Sequence, residues 1–221
     1  MAGAPGGLIV TADEQTAGRG RRGSAWFAPA GGSLLYSALL RPFEAERAPL
    51  LPLAVPVAVC EAAESIAPVG CRLKWPNDVW IDERKVAGVL VEARPDAGWA
   101  VIGVGLNVAI PENDFPPELR QTATSLLPTE AEHGIPPAGA PAVREALTAL
   151  NESLGRWVGA SAEEILSAFR ARDALSGRSI SWEGGEGVAA GVDERGHLLV
   201  DKEEDQRVAL GAGEVHLAVE R

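Results

Sequence analysis

The chain has 221 residues, 46% hydrophobic and 23% charged, with a net charge of −11 and a pI near 4.8. That balance belongs to an ordinary globular protein with a real core, of one large domain or one domain plus a small one. An acidic surface repels a phosphate backbone and argues against general nucleic-acid binding, and two cysteines make no disulfide framework.

Cys60 and Cys71 have no metal-ligand spacing around them, so buried free thiols in a reducing cytoplasm are expected. MAGAPGG has neither a basic segment nor a long apolar run, so no leader is expected. The most apolar stretch, 49–66, is broken by Pro49, Pro52 and Pro56 and is not expected to span a membrane.

In chain order, Leu8–Ala12 is a β-branched run that predicts a strand. It leads into EQTAGRGRRGSAW, residues 14–26, where Arg19, Arg21 and Arg22 alternate with Gly18, Gly20 and Gly23. Glycine lets a backbone approach a ligand closely, and arginine offers planar charged donors that fit phosphate or carboxylate oxygens. Such a loop suits closure over an anion; a solvated basic loop and an RGG-like nucleic-acid contact are the bland alternatives. In an acidic chain, a local positive island favours a small anionic ligand over a polymer.

Ser33–Leu40 predicts a strand after a Gly-Gly turn, and a helix is expected from about Leu53, with prolines near its start. Cys71–Trp75 predicts a strand stopped by Pro76-Asn77-Asp78. Val79–Ile81 and Lys85–Ala93 read as a hairpin with the polar tip Asp82-Glu83-Arg84. Trp99–Val108 predicts a strand in which Gly103 and Gly105 let something sit close to the backbone.

Residues 109–142 are proline-rich and predict loop. Pro141–Val158 and Ser161–Arg172 have helical spacing, with Ser161 as N-cap ahead of Glu163 and Glu164. From Ser176 the pattern becomes short runs: Ser179–Trp182, Gly187–Val192, Leu198–Val200, Arg207–Leu210 and Val215–Val219. They predict a small β unit, most simply a barrel. The overall expectation is an α+β fold: a mixed-sheet catalytic domain over residues 1–174 and a small β-barrel domain over residues 175–221.

Lys85 opens an apolar strand, where a lysine is costly to bury unless it meets an anion. Snorkelling to solvent is the bland reading for Lys85. For Lys74 it is a surface pair with Asp78, and for Asn77 and Asp78 a plain turn.

Taken together, QTAGRGRRG, KWPNDVWIDERKVAGVLVE and VIGVGLNV, in that order, resemble the biotin protein ligases. The motifs run from about Ile9 to Asn107, and the architecture resembles the family to the C-terminus. The resemblance implies ATP-dependent activation of biotin to biotinyl-5′-adenylate with release of pyrophosphate. A lysine of a biotin carboxyl carrier protein then attacks the mixed anhydride and AMP leaves. It implies ATP with Mg²⁺ as co-substrate and ion, biotin as substrate, and no tightly bound prosthetic group. Metal-ligating residues of the chain, nucleic acid and membrane form no part of the expectation, and a homodimer is compatible with it.

By the same resemblance, Arg21, Lys85 and Asp78 are the catalytic set, with Asp78 orienting or deprotonating the incoming lysine. Gln15, Gly18, Arg19, Gly20, Arg21, Lys85 and Gly88 correspond to biotin-binding positions. Arg22, Trp26, Lys74, Asn77 and Asn107 correspond to nucleotide-binding positions. The chain departs from the family in two places. Ser24 stands where the family often has Arg. The family's upstream strand with a Ser-Thr pair for the biotin ureido ring has no counterpart ahead of the Arg loop, so the chain is expected to start inside the domain. No helix-turn-helix precedes the domain either, so the repressor role of some relatives is not implied. A lipoate-type ligase of the same fold and a non-catalytic biotin- or nucleotide-binding remnant are the competing readings; GRGRRG and KWPND favour biotin.

Overall fold

β-Branched and leucine-rich runs between glycine turns become strands in the computed structural model, which describes residues 3–127, 139–203 and 206–218. The first is β1 (Ile9–Ala12), followed by a two-stranded ribbon, β2 (Gly18–Arg19) with β3 (Ala25–Trp26), in the Arg loop. Then come β4 (Ser33–Leu40), β5 (Arg72–Lys74), β6 (Asp78–Ile81), β7 (Arg84–Arg94) and β8 (Trp99–Asn107). Six of these form one sheet in the order β1-β4-β8-β7-β6-β5. Every ladder in it is antiparallel. A mixed sheet was the expectation; parallel pairing is confined to isolated bridges Leu73↔Asp173 and Lys85↔Ala123. Tight turns force the reversal for β5–β6, β6–β7 and β7–β8, whereas β1–β4 and β4–β8 are joined by longer connections. The β6–β7 turn carries Asp82 and Glu83 at φ 48° and 62°, the positive pair that a two-residue hairpin requires.

Side chains alternate across this sheet. Leu34, Tyr36, Ala38, Ala87, Val89, Ile102, Val104 and Leu106 belong to the core. Helix α1 (Leu51–Ile66) packs into that core with eleven buried residues; it is apolar on all sides from Leu51 to Cys60, while Glu61, Glu64 and Ser65 give its last turns a polar edge. Pro52 sits in its first turn as expected, whereas Pro56 lies inside the helix and removes one backbone donor. Helices α2 (Gly139–Gly159) and α3 (Ala162–Arg172) complete the layer. The expected Ser161 cap is present as a reciprocal box with Glu164: Ser161 N–H donates to Glu164 Oε2 at 2.8 Å and Glu164 N–H to Ser161 Oγ at 3.3 Å.

Among its described residues the proline-rich stretch holds one short helical turn, Glu112–Asp114, and α2 begins at Gly139. Residues 128–138 of that predicted loop lie outside the described residues. The expected C-terminal β unit is a five-stranded antiparallel sheet: β9 (Ser179–Trp182), β10 (Gly185–Val192), β11 (Leu198–Asp201), β12 (Arg207–Leu210) and β13 (His216–Leu217). Its order is β12-β11-β10-β9-β13, with no β12–β13 ladder among the described residues; Val219 of the last predicted run lies outside them. Among the described residues no helix is long and apolar enough to cross a membrane.

Candidate active site

The second face of the six-stranded sheet is not packed on helices, and its sequence shows why. Cross-strand pairing puts Lys74 opposite Asp78, Asp78 opposite Gly88, Gly88 opposite Gly105, and Gly105 opposite Leu35. Directly paired residues share a face, so this row runs across β5, β6, β7, β8 and β4. Two adjacent glycines remove the side chains from its centre and leave a bare shelf of backbone. Gly103, two residues before Gly105, extends the clearing.

Lys85 reaches this face through a bulge. Strict alternation from Gly88 would turn Lys85 to the helix side. The β6–β7 register shifts by one residue between Val79↔Ala87 and Trp80↔Lys85, which leaves Val86 as the extra residue. Val86 and Ala87 are consecutively buried, and Lys85 is re-aimed beside the shelf. Segment 122–124 fixes the strand start: Lys85 N–H donates to Thr122 O at 2.7 Å, and Thr124 N–H to Lys85 O at 2.9 Å.

The Arg loop lies over this shelf. Its tip, Arg21–Gly23, is a single turn with Arg22 in the left-handed region (φ 54°, ψ 24°), followed by Gly23 at φ 81°. A bulky residue adopts that conformation at a cost. Arg21 Nη1 donates to Asn77 Oδ1 at 3.3 Å and to Gly213 O at 3.4 Å, tying the loop to the Pro76-Asn77-Asp78 turn and to the C-terminal sheet. Arg22 pairs with Glu183 at 3.2 Å, but both side chains are exposed and the pair contributes little. The Trp26 indole lies on the shelf, with Lys85 Nζ 5.7 Å from its ring centre.

Together these segments line a cleft of about 350 Å³. Of the residues expected there, Gln15, Arg19, Gly20, Arg21, Arg22, Trp26, Lys74, Asn77, Asp78, Lys85 and Gly88 all line it. Gly18 and Asn107 do not. Gly18 backs the loop, paired with Trp26 in the ribbon. Asn107 is buried behind the cleft, where its Nδ2 donates to Thr124 O at 3.1 Å and its Oδ1 has no partner among the described residues. The reason is position rather than alternation: Asn107 shares the register face of Gly105 but lies at the end of β8, covered by segment 124–126, whose Leu126 N–H donates to Asn107 O at 2.9 Å. The sequence reading omitted Gly213 and Glu214, which join the cleft from the C-terminal sheet, and assigned no site role to Gly105. Gly105 carried a sequence signal, as a glycine within a strand. Glu214 carried none, because its approach depends on how a sheet almost 200 residues downstream docks.

The electrostatics are those of an anion site. Arg19, Arg21, Arg22, Lys74 and Lys85 outnumber the lining acids Asp78, Glu92 and Glu214, and Asp78 Oδ1 is 2.6 Å from Lys85 Nζ. Burial pulls Lys74 and Arg21 below their ordinary values, a shift that the nearby Asp78 and Glu214 carboxylates oppose only in part. Lys74 also stands 5.2 Å from the Trp80 ring centre. Partly desolvated cations in excess over acids bind an anion more strongly than the same groups in water. Among the described residues, no three His, Cys, Asp or Glu converge as a cage for a metal ion.

The family profile described as Biotin/lipoate A/B protein ligase family matches residues 2–107. The chain is 33% identical over 220 residues to a biotin–[acetyl-CoA-carboxylase] ligase of Mycobacterium tuberculosis, covering 95% of this chain and 78% of that one. It is 32% identical to the enzyme of the same name from Paracoccus denitrificans, covering 90% and 85%. Against the bifunctional ligase/repressor BirA of Bacillus subtilis it is 41% identical over 127 residues, and the chain spans about two fifths of such relatives (39%). Its fold superposes on the biotin protein ligase of Aquifex aeolicus solved with biotin and ATP, with a TM-score of 0.79 and 29% identity, over 98% of this chain and 92% of that one.

Proposed function

The chain belongs to the biotin protein ligase family, and we propose that it activates biotin with ATP and transfers it to a lysine of a biotin carboxyl carrier protein. The observation that carries this reading is convergence. A glycine–arginine loop, the Lys74–Asp78 turn, the bulge lysine Lys85 and a glycine shelf come from four separate segments and line one cleft. The shelf suits a flat ring, and the cations suit a carboxylate and a phosphate chain side by side. Two mutually repelling anions react only if fixed positive charge holds them together.

In the first step a carboxylate oxygen of biotin attacks the α-phosphorus of ATP. The bond to the bridging oxygen breaks, and pyrophosphate leaves with the electron pair. Lys85 exchanges Asp78 for the incoming carboxylate and then for the acyl phosphate oxygens. Arg19 and Arg21 face the developing negative charge, with Gln15, Gly20 and Gly88 against biotin and Arg22, Trp26, Lys74 and Asn77 toward the nucleotide. Gly18 shapes the loop around the ligand from behind, and Asn107 acts from beneath the cleft. Magnesium bound to the triphosphate would supply further neutralisation of phosphate oxygens beside Arg22 and Lys74. In the second step the carrier's lysine nitrogen attacks the acyl carbon, the C–O bond to AMP breaks, and the amine loses a proton. Asp78, released by Lys85, is placed to orient that amine and to take the proton. A homodimer and a cytoplasmic setting are consistent with this chemistry and form part of the same reading.

The test is biotin-dependent release of pyrophosphate from ATP by the purified chain. Release that requires biotin and is not replaced by lipoate supports the assignment. Release with lipoate alone would move it to the lipoate ligases, and none with either, from a folded protein, would leave a binding remnant.

A further inference from the structure

The Trp26 indole occupies the centre of the shelf, against the two glycines that create it. A methyl group on Gly105 would stand 2.4 Å from Trp26 Cε2 and 2.7 Å from Nε1, and one on Gly88 would stand 3.2 Å from Cζ3. Gly105 must lack a side chain for that ring to fit, and Gly88 keeps the contact with the ring and with Lys85 close. Yet the seat is a poor one for the indole. Its Nε1 is buried with no acceptor among the described residues, and a buried unpaired donor is costly. The strand that carries it, β3, is two residues long and pairs only with β2. Beside it, Lys85 is held twice, by Asp78 at 2.6 Å and over the indole at 5.7 Å.

We propose that Trp26 is a built-in occupant of the ring shelf: the indole must leave Gly88 and Gly105 before a ring-bearing carboxylate seats there. This rests on the biotin reading above. The ligand that competes best carries both a planar ring, such as a cyclic urea, and a carboxylate. The ring takes the place of the indole, and the carboxylate draws Lys85 from Asp78 and from the indole face. A ring without the anion leaves Lys85 in place, and an anion without the ring leaves the indole in place. The device therefore selects for the two features on one molecule and delays closure of the Arg loop until both have arrived. Affinity is reduced by the fraction of molecules with the shelf open; an open fraction on the order of a tenth makes removal of the occupant worth about tenfold.

The experiment measures biotin affinity by calorimetry, without ATP, for the wild type, Trp26→Ala and Trp26→Phe, with thermal melts to check folding. The expected result is about tenfold tighter biotin binding by Trp26→Ala and an intermediate gain for Trp26→Phe. Acrylamide quenching adds a second readout: the wild-type signal minus that of Trp26→Phe isolates Trp26 among the six tryptophans. Its accessibility is expected to rise when biotin binds. Unchanged or weaker binding by folded Trp26→Ala, with biotin still bound, overturns the occupant role alone and makes Trp26 an ordinary contact or a bystander. If no form binds biotin, the biotin reading falls and the proposal falls with it.

Discussion

Replacing Lys85 by alanine separates folding from chemistry, because the structure assigns the two very different magnitudes. The substitution deletes an ammonium 2.6 Å from Asp78 Oδ1, in a pair whose side chains are 34% and 19% exposed. A partly exposed pair of this kind contributes about 1 kcal/mol or less. Asp78 is not stranded by the loss, since Lys74 is its cross-strand neighbour. The backbone bonds that fix the strand start, Lys85 N–H to Thr122 O and Thr124 N–H to Lys85 O, are retained. A loss of about 1 kcal/mol lowers the melting temperature of a chain this size by about 2–4 °C. The chemical step loses a positive charge placed at the reacting oxygens, which costs about 10²–10³ in rate. Pyrophosphate release at saturating ATP and biotin, with a thermal melt of the same sample, measures both. The expected result is a nearly unchanged melt with release reduced at least about a hundredfold. Lys85→Arg keeps the charge but spreads it over a planar fork, so partial activity is expected from it. A folded Lys85→Ala protein that releases pyrophosphate within about threefold of the wild-type rate would show that Lys85 does not face the reacting anions; an electrostatic contact at the centre of the reaction cannot cost so little.

Hydrogen exchange across Thr16–Ser24 is expected to slow when biotin and ATP are added together, because the arginines gain anionic partners; equal protection with and without ligand would end the closing-lid account. Arg21→Ala removes the tie to Asn77 and Gly213, so faster escape of activated biotin into solution is expected. Retention equal to wild type, followed with labelled biotin, would remove Arg21 from that role. Burial holds Asp173 above the usual carboxylate range, so its charge opposes folding. The native state binds the proton more tightly than the unfolded chain, and stability from this group falls as pH rises from about 4 through its raised value. Asp173→Asn is therefore expected to be at least as stable as wild type near pH 8, with the difference shrinking toward pH 4; chemical denaturation at several pH values checks it, and a difference that grows in acid contradicts it. Cys60 and Cys71 are buried, and burial raises the Cys60 thiol further with Cys71 beside it. Neither is expected to react with a disulfide reagent until the protein is unfolded, and rapid reaction of the native protein would refute that.

The strands and helices were legible because each carries its own pattern. An apolar run after a Gly-Gly turn marked β4, the polar tip Asp82-Glu83-Arg84 marked the hairpin, and Ser161 ahead of Glu163 and Glu164 marked the start of α3. The prolines set the expected start of α1 at about Leu53, two residues late, because Pro52 fits the first turn and packing holds the helix together around Pro56. Strand direction was not legible, because local sequence does not say which neighbour a strand will choose. The site was legible as a set of motifs, but its geometry was not. The bulge at Val86 that turns Lys85 toward the cleft is a one-residue register shift with no compositional mark. The shelf depends on Gly88 meeting Gly105 across two strands, and the approach of Glu214 depends on docking of the C-terminal sheet.

The central claim is tested most directly by mass balance. The purified chain is incubated with biotin, ATP, magnesium and an isolated biotin carrier domain, and both proteins are weighed by mass spectrometry while pyrophosphate and AMP are counted. The account predicts one biotin on one lysine of the carrier, pyrophosphate and AMP released in equal amounts, and no obligatory biotin adduct on this chain. Pyrophosphate release that does not depend on biotin, or biotin passing through a covalent bond to this chain, would contradict it.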